Sequence, residues 1–254
     1  MAATAPAMTG RDSAVLFSLS LAQFTTTLEF TIVFVALPSI GDDLSLGAGQ
    51  LQWVVGAYAV LFGGFLILCG RLSDRFGARR LFLVATVLFG LTSAAGAVAE
   101  TAVVLLAARA GQGLAAAMLQ PAVLGLLQSV FRDEPLRGRA WAVWSAIGAS
   151  GLGLGALLGG VLTEWSWRLT FAINVPLMAA CALGALVWMP PGPARSPVRI
   201  PLRRPGSPSA RPCRFRLVSP WRPIRAGALP SCTSASSRPV CSEPFSSVEN
   251  GAVR

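Results

Sequence analysis

The chain has 254 residues, 54% hydrophobic and only 13% charged, with a mean hydropathy of +0.62, an apolar load that excludes a soluble domain and points to a membrane protein. Its 21 basic residues against 11 acidic ones are all Arg, because Lys and His are absent, which removes the usual catalytic base and most zinc chemistry. The five cysteines, Cys69, Cys181, Cys213, Cys232 and Cys241, form no CxxC pair and no metal-ligand spacing, so no metal site and no closed disulfide framework are expected.

In chain order, a short N-terminal segment, residues 1–13, leads into six apolar stretches, each near the ~20 residues that cross a bilayer as a helix. They cover residues 14–40, 51–69, 81–99, 102–127, 140–162 and 170–189. The first is too long for a signal-peptide core, has no basic cluster before it and is followed by further spans, so it reads as a retained helix. The expected fold class is therefore all-α and integral to the membrane, with one six-helix domain over residues 14–189. The second connection carries Arg71, Asp74, Arg75, Arg79 and Arg80, and the fourth carries Arg132, Asp133, Glu134, Arg137 and Arg139. The first and third hold only Asp42, Asp43 and Glu100, and the fifth sets Glu164 against Arg168. By the positive-inside rule the even connections and both termini are cytoplasmic, giving a multi-pass protein of the plasma membrane.

Four stretches stand out along these spans. "LEFTIVFVALPSI" at 28–40 puts Glu29 about midway through the first span, where a charged side chain costs about 2.5–3.5 kcal/mol on insertion scales for the Asp, Lys and Arg class. Glu29 is thus a candidate proton-binding group, or else an acid that faces cavity water and titrates without coupling. "GRLSDRFGARR" at 70–80 must reverse the chain tightly between two spans. Gly70 and Gly77 suit crowded backbone, Arg71, Arg75, Arg79 and Arg80 anchor the loop inside, and Asp74 can accept from arginines or cap a helix. In "LLAARAGQGLAAAMLQPAVLGLL" at 105–127, Arg109 either finds an acid or carbonyls in the bundle interior or snorkels to the outer surface. Glu29 is the obvious intramembrane acid to meet it. "GASGLGLGALLGGVL" at 148–162 repeats Gly151, Gly155 and Gly159 every four residues, followed by Gly160, and so offers a small-residue face for helix packing.

The 70–80 loop resembles the signature between the second and third helices of major facilitator superfamily transporters, with Ala78 standing where that family commonly has another Arg. The stretch at 28–40 is similar to the first-helix signature of the fourteen-helix drug:proton antiporters, with Glu29 in place of the usual Asp and Phe34 where Asn is frequent. Arg109, Gln112, Gly113 and Pro121 match the fourth-helix signature. The glycine stripe resembles the antiporter signature of the fifth helix, except that Ala156 replaces its Pro. "WSWRLTFAINVPL", with Trp167, Arg168, Asn174 and Pro176, looks like the junction into the sixth helix. The resemblance covers about residues 14–189. It implies the amino-terminal half of a proton-coupled exporter of drugs or other small molecules, hydrophobic or cationic, with Glu29 and Arg109 coupling the proton and the loop around Asp74 closing a cytoplasmic gate. It also implies alternating access against a second half that does not follow here, so the chain reads as truncated, with the missing half or a second copy as partner beside the lipid bilayer. No cofactor is implied, the proton gradient being the energy source.

From Pro190 the chain changes character, with 13 of the 18 prolines and 11 of the 21 arginines, which predicts a disordered Arg/Pro/Ser-rich tail over residues 190–254. Two readings stand: a polybasic tail for anionic lipid or a cytoplasmic partner, or the translation of a shifted frame in GC-rich DNA. The first would make the protein a non-transporting membrane anchor. One Trp, two Phe and no folded module in the tail give no reason to expect a nucleic-acid partner, and the lack of His, of a nucleotide-binding glycine loop and of GxSxG argues against an enzyme.

Overall fold

The computed structural model describes residues 8–189; the expectations for residues 1–7 and for the tail at 190–254 lie outside the described residues. Among the described residues, seven helices make six membrane-crossing spans: α1 (Gly10–Leu44), α2 (Ala48–Phe76), α3 (Ala78–Ala97), α4 (Ala102–Val130), α5 (Glu134–Trp165), and a sixth span built from α6 (Arg168–Ala172) and α7 (Asn174–Trp188). Local chemistry sets their ends. Thr9 and Asp12 form a reciprocal capping box at the start of α1, Thr101 accepts from the Val104 N–H at the start of α4, and Asp133 with Pro in the first turn opens α5.

One expectation needs correction. The charged stretches at 70–80 and 132–139 are largely helix: α2 runs through Arg71, Asp74 and Arg75 to Phe76, and α5 begins at Glu134. A 29-residue helix is about 44 Å long, more than the ~30 Å hydrocarbon core, so the helices carry their charged turns out beyond the apolar layer. The reversal between α2 and α3 is left to Gly77, whose φ of 91° and backbone N–H to Ser73 O make it both the end of one helix and the start of the next. The sixth span, Arg168–Trp188, crosses as expected, with its hydrogen bonding interrupted at Ile173, whose φ of −61° and ψ of −29° stay helical. Pro176 has no N–H to offer the Ala172 carbonyl. Pro38 and Pro121, by contrast, lie inside α1 and α4, which continue through them.

The heaviest packing joins α1 to α5 and α2 to α4, then α3 to α4, α3 to α7 and α1 to α7. With α6 and α7 taken as one span, exchanging spans 1, 2, 3 for 4, 5, 6 maps this pattern onto itself, the mark of an internal three-plus-three repeat. Side chains fill the bundle in two apolar clusters. One, around Leu19, Phe82, Phe89, Leu119 and Leu127, lies toward the Gly77 end; the other, around Leu28, Ile32, Ile40, Leu105, Trp167 and Phe171, lies toward the opposite end. The polar residues of interest sit between them.

Candidate functional site

Glu29 and Arg109 meet. The Arg109 guanidinium donates from Nη1 to Glu29 Oε1 at 2.7 Å, and the two side chains are 1% and 0% exposed, so Arg109 does not snorkel outward and Glu29 faces no open water. A buried pair is sustained only when its remaining donors and acceptors are satisfied, and here partners come from α2, α4 and α7. Arg109 Nε donates to Val54 O at 2.9 Å, Nη1 also reaches Gln112 Oε1 at 2.9 Å, and the guanidinium lies 4.7 Å from the Tyr58 ring centroid, near enough for a cation–π contact. Gln112 passes the network on, donating to Ser93 Oγ of α3 at 2.8 Å.

The second holder of Glu29 is Asn174, which donates from Nδ2 to Glu29 Oε2 and to Thr170 O. The interruption at Ile173 places this fully buried amide at the first residue of α7. Its junction position was evident from sequence; its contact with Glu29 was not. The available signal was an Asn within an otherwise apolar span, the kind of residue that in a membrane needs a partner.

Gly113 brings α4 against α2. A Cβ added there would come within 2.9 Å of Tyr58 Cα, as well as onto its carbonyl oxygen, so a glycine is needed for Arg109, one turn away, to reach the Val54 carbonyl. Pro121 lies two turns further along α4.

On α5 the stripe Gly151, Gly155 and Gly159 faces α1. Added Cβ atoms would fall 2.8 Å from Phe24 O, 2.9 Å from Leu28 O and 3.0 Å from Val35 Cβ, and Thr27 Oγ1 donates across the seam to Gly148 O at 2.8 Å. Gly160 departs from the expected packing role: a Cβ there would meet nothing within 4 Å, because it lies a quarter-turn off the seam. Ala156 is exposed on a helix that runs unbroken. Phe34 likewise points away from the bundle at 46% exposure and pairs edge-on with Phe30.

The 70–80 segment divides by exposure. Arg79 donates from Nε to Ala185 O at 3.3 Å and from Nη2 to Leu186 O at 3.1 Å, while Arg11 Nε reaches Trp188 O at 2.9 Å; together they cap the orphan carbonyls at the end of α7. Ala78 packs where Gly125 lets α4 approach, with 3.2 Å from its Cβ to one added at Gly125. Gly70 lies within α2, where an added Cβ would meet nothing within 4 Å, so the expected backbone crowding is absent there. Arg71, Asp74, Arg75 and Arg80 are exposed at this end.

At the opposite end Asp43 gathers the start of the sixth span. Its Oδ2 accepts from Trp167 Nε1 at 3.0 Å and from Arg168 Nη1 at 2.8 Å, Arg168 Nη2 donates to Ala99 O at 3.2 Å, and the Arg168 guanidinium stacks 4.5 Å from the Trp167 ring. Sequence marked Trp167 and Arg168 as a junction and Asp43 only as a loop charge.

This arrangement can be set beside known proteins. The sequence profile of the Major Facilitator Superfamily matches residues 19–237. The chain is 42% identical over 164 residues to the puromycin resistance protein of Streptomyces alboniger, covering 64% of this chain and 33% of that protein. It is 43% identical over 157 residues to the cephamycin export protein of Amycolatopsis lactamdurans, 61% and 32% of the two lengths. With the methyl viologen resistance protein of Salmonella typhimurium the identity is 35% over 159 residues, 62% and 32%. The chain spans about a third of the length of these relatives. In fold it is similar to the crystal structure of a bacterial homolog of the human lysosomal transporter Spinster, inward-facing and unoccupied, with a TM-score of 0.64 at 18% identity over 79% of this chain and 48% of that one. With the family profile matching most of its length, the chain belongs to the Major Facilitator Superfamily.

Proposed function

We propose that these six spans act as the amino-terminal half of a proton-coupled exporter of drugs or other small molecules, of the fourteen-helix antiporter type, working by alternating access against a second half or a second copy. The observation that carries this reading is the enclosed Glu29–Arg109 pair. Resistance and export relatives named for puromycin, cephamycin and methyl viologen support a small-molecule cargo. In this reading the Gly77 end and both termini are cytoplasmic in the plasma membrane, and the exposed Arg71, Asp74, Arg75 and Arg80 serve the cytoplasmic gate. The proton gradient supplies the energy and no cofactor takes part.

The chemistry follows from what a proton does to the pair. Protonating Glu29 cancels the charge that Arg109 faces, while Arg109 keeps Val54 O, Gln112 and Tyr58 and Glu29 keeps Asn174. The proton therefore exchanges an ion pair across α1 and α4 for two separately held groups, a change with opposite consequences for conformations that close or open that seam. Everted vesicles carrying the chain, alone and with a carboxy-terminal half supplied from a relative, test this through proton release on drug addition. The expected result is drug-dependent proton movement with the complemented chain and its loss in Glu29→Gln; unchanged movement in that variant would remove Glu29 from the coupling step.

A further inference from the structure

The sixth span is gripped at two points by carboxylates of a single helix. Asp43 and Glu29 are fourteen residues apart on α1, about four turns and about 21 Å of rise, which returns them to nearly the same face. Asp43 takes both Trp167 Nε1 and Arg168 Nη1, and Glu29 takes Asn174 Nδ2. Between the grips lies only α6, one helical turn, and it is rigidly seated. Trp167 is buried and meets Phe171 edge to face at 6.0 Å, Phe171 is fully buried against Gly96 of α3, and Thr170 Oγ1 donates to Trp167 O at 2.6 Å. The same turn presents Thr170 O to the Asn174 amide at 3.3 Å. Asn174 therefore cannot turn away from Glu29 without giving up a bond to α6, and α6 cannot shift without disturbing its hold on Asp43.

From this we infer that Asp43, Trp167 and Arg168 form a positioning clasp for the proton-coupling acid: they set α6, α6 sets Asn174, and Asn174 holds Glu29 against Arg109. The inference rests on the reading of Glu29 as the coupling acid, and it ties the state of the outer face to proton binding in the centre. Other charges do not confuse the route. Facing Glu29 are Arg109 from α4 and Tyr58 from α2; α3 and α7 contribute the uncharged Ser93 and Asn174 to the cluster, and α5 meets α1 there through Gly151 and Gly155. Asp43 acts through geometry, since its charge is paired with Arg168 at 2.8 Å and lies about 21 Å from Glu29 along α1.

The test is a double-mutant cycle read on Glu29 itself. Infrared difference spectra of the full chain in lipid vesicles, taken across a pH series, follow the Glu29 carboxyl band, identified by its loss in Glu29→Gln. Asp43→Asn is expected to move the midpoint of that band by about half a pH unit or more, in the same direction as Asn174→Ala, and to move it no further when Asn174 is already Ala. Trp167→Phe, which keeps the ring packing and removes one donor to Asp43, should reproduce part of the shift and guards against a folding artefact. An unmoved midpoint in Asp43→Asn, or an equal shift with and without Asn174, would overturn the clasp while leaving Glu29 as the coupling acid. A wild-type band that does not titrate at all would instead remove the coupling role on which the clasp depends.

Discussion

The two sides of α1 hold the bundle together in opposite ways. Toward α5 the contact is made by removing side chains: Gly151, Gly155 and Gly159 let the backbones touch, and a polar bond across the seam, Thr27 to Gly148 O, involves no charge. Toward α4 the packing is thin, and the link is the Glu29–Arg109 pair with its helpers Asn174, Gln112 and Val54 O. A seam of glycines has a single well-packed arrangement. In the proposed mechanism a seam closed by an ion pair has two, because one proton changes what the pair is worth, so the first side of α1 stays closed and the second is switched.

The largest effect should come from leaving one charge of that switch alone. Arg109→Met strands Glu29 in the core and should lower stability by about 3–5 kcal/mol, measured by thermal or denaturant unfolding in detergent, while adding Glu29→Gln to it should recover a substantial part. If the double variant is as unstable as the single one, the switchable side is no different in kind from the glycine side. Next in size is the steric seam. Gly151→Ala drives a Cβ to 2.8 Å from Phe24 O and onto Thr27 Oγ1, and overpacking of this kind costs about 1–3 kcal/mol. It should lower the yield of folded protein without changing the pH response of Glu29.

Sequence reading recovered the six spans because twenty apolar residues in lipid have few alternatives to a helix, every backbone polar group having to be satisfied within the segment. It placed the helix ends poorly at Arg71–Phe76 and Glu134–Arg139, since charge marks where a helix leaves the apolar layer and not where it stops. Glu29 and Arg109 were visible as costly residues in apolar runs, with Glu29 the obvious acid for Arg109 to meet. That they touch depends on which faces of α1 and α4 turn inward, and this is decided by Gly113 and the α5 stripe acting through tertiary packing. Asn174 and Asp43 were legible only as a junction residue and a loop charge, because their partners lie 145 and 125 positions away in the chain.

A smaller effect separates Arg79 from its exposed neighbours. Arg79 caps two carbonyls at the end of α7, so Arg79→Ala should cost about 1–2 kcal/mol, the scale of a charge-assisted helix-end interaction that is partly buried, whereas Arg80→Ala should cost almost nothing. The unfolding midpoints of the two variants decide it; equal values would mean that the α7 end is held by Arg11 alone and that Arg79 is free to serve the gate.

The smallest effect is the sharpest test of the glycine seam. Gly160 is adjacent in sequence to Gly159, and sequence gives the two the same role, but an added Cβ at 159 lies 3.0 Å from Val35 Cβ and one at 160 meets nothing within 4 Å. Gly160→Ala should therefore be neutral or slightly stabilising, by about 0.5–1 kcal/mol from helix propensity, and Gly159→Ala destabilising. Because both changes add one methyl group to the same turn of α5, the difference between them measures the closeness of α1 and α5 and nothing else. Were Gly160→Ala to destabilise as much as Gly159→Ala, the face of α5 that carries Gly160 would have a packing partner beyond the described residues, and the contrast between the closed and the switchable side of α1 would have to be drawn with that partner included.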